Sequence, residues 1–427
     1  MLQRVNAFIN ALHTSGRSTG ALWLDIRLED GNRTVRSDRL TFGVPADFHC
    51  HNDCIAAAAM TLIGDRAERV QFNFAISSRC ADIITSYYAA TEVGPVDTGL
   101  KPRQRGREIG LMLSGGIDSL AVWMILSDAL GRGNFKVITT DFGHGFSFER
   151  RGFQALRRDI TCSTDFRAKG YAEHGRFTGA APLLHADYLD LDAVVTGHLY
   201  NHPPVSFEPL LGQPPRYLRE DLPFLAGGLG EIHLARALSS VLPLQVVMQG
   251  DPTLLEACWH GSSRPGTDKQ FKKSLMFRRM YAKLGLTCPE WIANVPNPRR
   301  QLDVLGNPAS IPTLLYLIHH FGVDALRPNY HDLAMHDLTL CDGMTFEFFE
   351  HYNPSITAFL PHSLQRGVLQ ALNSYGIEPY TEYDWIEFAY MRVLTEAALA
   401  GGRRLGRNPD DSAIPPFEAW RETYPGP

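Results

Sequence analysis

Residues 109–126 read IGLMLSGGIDSLAVWMIL. An apolar run of strand length, Ile109–Leu113, leads directly into Ser114-Gly115-Gly116-Ile117-Asp118-Ser119, and an amphipathic stretch of helical length, Ser119–Leu130, follows. Two glycines let a backbone pass close to a polyanion, and a helix start offers it unpaired N–H groups and a positive dipole end. Ser114 and Ser119 add hydroxyl donors. Asp118 would repel phosphate on its own, so its place there suggests that it orients the loop or holds a magnesium ion. The GK[ST] ending of a Walker A loop and the G-x-G-x-x-G dinucleotide spacing are both missing. The plainer alternative is a helix N-cap with incidental glycines.

Working outward, short apolar runs alternate with longer amphipathic ones, which is the pattern of βα units around a parallel sheet. Strands are expected at Lys136–Thr140, Asp192–Thr196 and Leu244–Met248, with helices at Pro182–Leu189 and Ile232–Val241. The spacing beyond about residue 250 predicts helices over 270–284, 311–321, 344–352, 362–375 and 384–399. Upstream, ALWLDIRLE (21–29) alternates as a half-buried strand with a hairpin turn at Asp30-Gly31. RVQFNFAIS (69–77) alternates likewise, between apolar segments of helical length at 54–63 and 79–90. The expected organisation is a small α+β domain over 1–93, a Pro-, Gly- and Arg-containing linker over 94–108, an α/β parallel-sheet domain over 109–285, a helical region over 286–400 and a loose tail over 401–427.

At 427 residues, 44% hydrophobic and 20% charged, the chain has the composition of an ordinary multidomain globular protein. A net charge of -5 provides no global basic field for nucleic acid. The opening stretch lacks the pattern of a signal peptide and no run has the length of a membrane span, so the reading is a cytoplasmic protein without membrane partners. Seven cysteines scattered through the chain do not form a secreted disulfide framework. His49, Cys50, His51 and Cys54 have metal-ligand residue types, but Cys54 opens an alanine-rich helix, and a buried structural role is the expectation.

SGGIDS (114–119) resembles the PP-loop of the adenine-nucleotide alpha-hydrolase-like (HUP) superfamily, whose members split ATP into AMP and pyrophosphate. TTDFGHGFSFE (139–149) is similar to the Asp-Tyr-Gly-Gln-x-His-x-x-Glu segment of 7-cyano-7-deazaguanine synthases, the QueC family. Asp141, Phe142 and Gly143 match in order, His144 takes the Gln place and Glu149 lies one residue late. Gly175-Arg176 stands where that family has Gly-Arg-Asn, and Thr196-Gly197-His198 closes a strand near the nucleotide. The resemblance covers about residues 109–285. It implies nucleotide contacts from Ser114 to Ser119 and at Asp141, Gly143, His144, Gly197 and His198. Arg176 is the candidate for a phosphate or carboxylate contact, while His198 is equally read as a capping or core histidine.

The likeness fails at the family's zinc site. Cys258 matches the isolated cysteine, but Asp268, Phe271 and Ser274 occupy the downstream thiolate positions, so no zinc is expected. Lys269, Lys272, Lys273, Arg278 and Arg279 make this stretch basic, suiting an anionic substrate, an acidic patch on a protein or, more plainly, a solvated helix face.

What the resemblance implies is an ATP- and Mg2+-dependent enzyme that adenylates the carboxylate of 7-carboxy-7-deazaguanine and couples it to an amine. The additional regions resemble the enlarged QueC-like proteins of anti-phage operons, the Qat systems and type IV CBASS. There the amine would be the N-terminus of a protein encoded nearby. Ammonia as acceptor, giving the free amide or nitrile, is the alternative, and a nucleotide-binding scaffold without catalysis is the alternative of another class. Sulfur transfer to RNA or DNA fits less well, since such enzymes commonly use reactive cysteines and no CxxC pair occurs.

Overall fold

The computed structural model describes residues 5–13, 20–173, 176–199 and 221–424. The chain forms two compact units that are not consecutive in sequence. The first comprises residues 1–115, 130–197 and 215–232; the second comprises 116–129, 198–214 and 233–427.

The first unit carries two five-stranded sheets. In one, β1 (Val5–His13), β2 (Ala21–Asp30), β3 (Arg33–Gly43), β4 (Ala67–Ile76) and β5 (Glu92–Val96) lie in the order β3-β2-β1-β4-β5. The hairpin at Asp30-Gly31 forms as expected, with Gly31 at φ +57. Helices α1 (Asn52–Ile63) and α2 (Ser78–Tyr88) flank β4 in sequence. Their starts are tied together by Asp53, which is buried and accepts from the Ser77 backbone N–H at 2.8 Å and the Ser77 hydroxyl at 2.7 Å. Cys54 is fully buried, its thiol 3.2 Å from the Gly227 carbonyl, while His51 caps α1 by accepting from the Asp53 N–H. Both are structural uses.

The second sheet is entirely parallel, built from β6 (Glu108–Met112), β7 (Lys136–Asp141), β8 (Ile160–Ser163), β9 (Leu191–Val195) and β10 (Gly230–Ile232) in the order β10-β9-β6-β7-β8. The chain enters at β6, steps to β7 and β8 on one side, and crosses back to β9 and β10 on the other. This α/β architecture has its topological switch point between β6 and β9, and ligands of open parallel sheets bind beyond the carboxyl ends of the strands at such a point.

Two readings of this region are corrected. The fifth strand is Gly230–Ile232, not Leu244–Met248. The latter lies inside a helix, Leu242–Gly250, with Pro243 in its first turn, where a missing N–H costs nothing. Periodicity alone does not separate a buried apolar run in a helix from one in a strand. The expected helix at Ile232–Val241 is accordingly replaced by β10 and a short 3-10 turn, Leu234–Ala237.

Residues 94–108 do not behave as a linker. Gly94–Val96 complete β5, and Arg103 is buried, with its side chain 3% exposed. Its guanidinium binds the Asp187 carboxylate at 2.7 Å and the carbonyls of Gly228, Ala186 and Leu191 at 2.8 Å each. Nor is the expected 1–93 domain separate. Phe42 bridges Thr164, the Thr41 N–H donates to Asp165 at 2.9 Å, and one continuous apolar cluster runs from Ala7 to Leu229.

His185 sits inside that cluster with no exposed surface, its Nδ1 2.8 Å from the Ala181 carbonyl and its ring edge-on to Phe48. Burial lowers its pKa to about 4, against the weaker opposing effect of the Ala181 carbonyl. Because the folded value is depressed, its contribution to stability is complete above the unfolded value of about 6.5 and is lost as pH falls from there toward 4. Urea unfolding at pH 7 and pH 5 should show His185→Phe losing about 2 kcal/mol less stability over that interval than the parent chain. Equal losses would contradict the assignment.

The second unit is helical. Helix α3 (Ile117–Leu130) is buried on every side from Ile117 through Ser127, apart from half-buried Asp118. The helices Leu255–Ser262, Asp268–Lys283, Ile311–Phe321, His362–Ser374 and Glu382–Leu399 follow. The expected helix over 344–352 is instead a loop with a 3-10 turn, Glu347–Phe349. Phe346 adopts φ +59, and the Glu387 carboxylate takes the Thr345 and Phe346 backbone N–H groups. Residues 401–424 are docked, not loose. Phe417 is fully buried on the helix Phe417–Thr423, and the Tyr390 hydroxyl donates to the Pro415 carbonyl at 2.7 Å. Among the described residues, no helix is long and apolar enough to cross a membrane.

Candidate functional site

The loop Ser114–Ser119 leaves the central strand β6 and enters α3, so Ser114 and Gly115 fall in the first unit and Gly116 to Ser119 in the second. Each half is built differently.

In the first unit, the parallel sheet brings the ends of β9, β6 and β7 to one edge, and with them Gly197, Ser114 and Asp141. The take-off of the loop is pinned where the Leu113 N–H donates to Ile138 at 2.8 Å and the Thr139 hydroxyl donates to the Leu113 carbonyl at 3.0 Å. Ser114 is exposed and Gly115 is buried at φ +80. A Cβ on Gly115 would lie 2.6 Å from the Glu149 carbonyl, and one on Gly152 would lie 1.7 Å from the Gly115 carbonyl. The first loop glycine therefore packs backbone against backbone on the turn at 149–153. Its conformational freedom serves that contact as well as any ligand. Gly152→Ala should displace the loop, costing about 1–3 kcal/mol in urea unfolding. Gly133→Ala, whose Cβ would meet nothing nearer than 4.0 Å, is the control.

Asp141 shapes its own turn by accepting from the Gly143 N–H at 2.9 Å, and it pairs with Arg150 at 2.9 Å. Glu149 pairs with Arg167 at 3.0 Å, and the Arg167 guanidinium lies 3.6 Å from the Phe146 ring centroid. The backbone of His144 opens the 3-10 turn His144–Glu149. Phe142, Phe146, Phe166 and Phe177 pack edge-on or tilted around one another.

Arg176 is not available to a ligand as it stands. Its side chain is 8% exposed, stacks over Phe224 at 4.6 Å and hydrogen-bonds Glu231, whose side chain is fully buried on β10. Glu231 accepts in addition from the Thr196 hydroxyl at 3.1 Å. The expectation that Arg176 contacts substrate is thus replaced, in this state, by a buried ion pair that ties the start of the 3-10 turn Phe177–Gly179 to β10. Gly175 lies outside the described residues.

In the second unit, the Ile117 N–H donates to the Ser262 hydroxyl at 3.0 Å, and the Ser119 hydroxyl donates to the Gly116 carbonyl at 3.0 Å. Asp118 receives Lys273 on both carboxylate oxygens, at 2.9 and 3.1 Å. Asp118 also lines a cavity of about 250 Å³ together with the Asp268–Lys283 helix and residues 307–313. His198 is half-buried in this unit, just after β9.

Lys273 is the residue that sequence reasoning undervalued. Lys269 and Arg278 are exposed, as a solvated face requires, but the rest of the basic stretch is engaged: the Lys273 side chain is 8% exposed, and Lys272 pairs with Asp268 at 3.3 Å. Arg279 and Lys283 both reach the buried Glu350 at 2.9 Å. Burial opposes ionisation of Glu350, but Lys283 and Arg279, with the Tyr316 hydroxyl, hold its pKa below the ordinary glutamate value. The available signal was the i, i+3, i+4, i+7 spacing of Lys269, Lys272, Lys273 and Met276, which puts them on one helix face.

At the positions where zinc thiolates would stand, Cys258 is fully buried, its thiol pushed up to about 12 by burial. Asp268 is paired with Lys272, Phe271 is buried, and the Ser274 hydroxyl donates to Phe271 within its own helix.

Comparison with protein-family models, with curated proteins and with solved structures found no match to this chain.

Proposed function

We propose that this chain is an ATP pyrophosphatase with an adenine-nucleotide alpha-hydrolase-like (HUP) core, which activates a carboxylate as its adenylate. The observation that carries the reading is the position of SGGIDS. It follows the central strand of a parallel sheet, at the point where strand order reverses, and runs into a helix N-terminus.

In the proposed reaction a carboxylate oxygen attacks the α-phosphorus of ATP, the bond from that phosphorus to the bridging oxygen breaks, and pyrophosphate leaves. An amine then attacks the acyl carbon and AMP departs with the electron pair of the former acyl bond, while the amine loses a proton. Activation is required because a carboxylate is a poor electrophile. The chain's own task is to hold and orient the polyphosphate. Asp118, a hard carboxylate at a cavity wall, fits the one or two carboxylates with which magnesium is usually held beside phosphates. Magnesium bound there would neutralise phosphate charge.

The QueC likeness makes 7-carboxy-7-deazaguanine the proposed acid, and the enlarged build favours a protein N-terminus as the amine in an anti-phage setting. Incubating the purified chain with ATP, magnesium, the deazaguanine acid and the products of neighbouring genes should release AMP and pyrophosphate and add the deazaguanine mass to a partner. Conversion of the free acid alone to amide or nitrile would refute the conjugation. No AMP with any deazaguanine acid would sink the enzyme reading and leave a nucleotide-binding scaffold.

A further inference from the structure

Two arginines of the first unit are held in opposite ways. The Arg103 side chain is 3% exposed, and its guanidinium is committed to one carboxylate and three carbonyls, as a structural arginine requires. The Arg167 side chain is 26% exposed, and among the described residues it makes one hydrogen bond, from Nη1 to the Glu149 carboxylate at 3.0 Å. What surrounds its charge instead is aromatic. The guanidinium carbon lies over three rings, 3.6 Å from the centroid of Phe146, 4.9 Å from that of Phe142 and 5.8 Å from that of Phe177. A cation within about 6 Å of a ring centroid is drawn to the negative face of the ring, and several such faces form the kind of cage that selects ammonium and guanidinium groups.

The cage stands where a ligand can reach it. Phe142 directly follows β7 and Arg167 lies four residues past β8, so both belong to the carboxyl edge of the parallel sheet, where open α/β sheets bind their ligands. Phe142 is buried, while Phe146, Glu149, Arg167 and Phe177 are half-buried. Phe146 and Glu149 are carried by the six-residue 3-10 segment His144–Glu149. Such runs seldom exceed three or four residues, because their hydrogen bonds are poorer than those of an α-helix, and this wall is the one best able to shift. The Glu149 carbonyl is also the group against which Gly115 packs, so the cage and the loop share a wall.

We infer that this cage is a binding site for a primary ammonium group, and that Arg167 is its resident cation, which gives way when the external one arrives. The identity of that group rests on the reading above: it is the amine that attacks the adenylate, which at neutral pH is largely the ammonium. An ammonium is a compact charge with three donors, and it fits between Glu149 and the ring faces without the planar breadth of a guanidinium. The chemistry is shared by the N-terminus of a protein and by the ammonium ion.

Calorimetry on the full chain tests it with glycinamide, ammonium chloride and N-acetylglycinamide as separate probes, the last keeping the amide without the charge. Arg167→Gln removes the resident cation and keeps a donor for Glu149. It should bind glycinamide at least about tenfold more tightly than the parent chain does and ignore the acetylated probe. Adding Phe146→Leu should reverse most of that gain, because an aliphatic side chain has no ring face. Phe146→Leu alone should weaken glycinamide at least about threefold relative to the parent chain, which keeps the test decisive if Arg167→Gln does not fold. A gain for glycinamide supports the cage with a protein N-terminus as its ligand; a gain for ammonium chloride with glycinamide excluded supports it with ammonia as the acceptor. Cation affinities that respond to neither variant, or equal binding of the acetylated probe, overturn the cage and leave Arg167 a structural pair with Glu149. A cage that binds glycinamide in a chain that never forms AMP stands while the proposed activity falls. AMP formation with unresponsive cation affinities does the reverse.

Discussion

In the proposed reaction Asp118→Asn is expected to form AMP at least about a hundredfold more slowly than the parent chain under saturating ATP, with a smaller drop in urea midpoint than Asp118→Ala. Asn keeps the volume of the side chain, and one amide oxygen can still accept from Lys273, which in the parent chain bonds both carboxylate oxygens. What the variant lacks is the charge, so a kinetic loss far out of proportion to the stability loss isolates the electrostatic role of the carboxylate. Asp118→Ala is the less clean test, since it leaves the nearly buried Lys273 ammonium without its partner and mixes folding with chemistry. A wild-type rate of AMP formation in the Asn variant would remove Asp118 from the mechanism and with it much of the case for the loop.

The largest expected effect on stability is at Glu231. Removing its carboxylate leaves the Arg176 guanidinium buried over Phe224 without its hydrogen-bonded counter-ion and takes an acceptor from the Thr196 hydroxyl. Breaking a buried pair from one side typically costs about 3–5 kcal/mol, so Glu231→Ala should lower the urea midpoint severely or prevent accumulation of folded chain. Replacing both partners, Arg176→Met with Glu231→Leu, should recover most of that loss, because an apolar pair needs no desolvation to be offset. The double variant also decides the role of Arg176. If it folds and retains the proposed AMP formation, the arginine is a strut between the turn at Phe177–Gly179 and β10; if it folds and is inactive, the ion pair opens to receive an anion during turnover.

The sequence was most legible where pattern and function coincide. Ile109–Leu113, SGGIDS and Ser119–Leu130 read as strand, loop and helix because the glycines separate two clear apolar runs, and the structure places β6 and α3 there. Ala21–Asp30 and Ala67–Ile76 were visible for the same reason, one face of each strand being buried. Val5–His13, Glu92–Val96, Ile160–Ser163 and Gly230–Ile232 escaped as strands. Val5–His13 has alanines at two of its inward-facing positions, which mutes its alternation; Ile160–Ser163 and Gly230–Ile232 have four and three residues, too few for a period to register. The site was legible in its glycines and Asp118 but not in its partners. Lys273 and Ser262 lie about 150 residues downstream of the loop, and no local pattern announces a contact of that range. Arg103 was hidden by its setting among Pro, Gly and charged residues, a composition that more often marks exposed chain than a buried guanidinium.

The meeting of β3 with the segment after β8 bears on how this protein can be cut. At Phe42 and Thr164 the rims of two sheets shield each other, and α1, with Ala56 to Ala59 fully packed, closes the same apolar cluster. Trimming the chain at about residue 93 to isolate the part that carries the loop would bare a strand rim and an oily floor together, the combination that seeds intermolecular sheet growth. The amino-terminal ninety residues thus serve as a cover that keeps the fold carrying the loop from meeting its own copies.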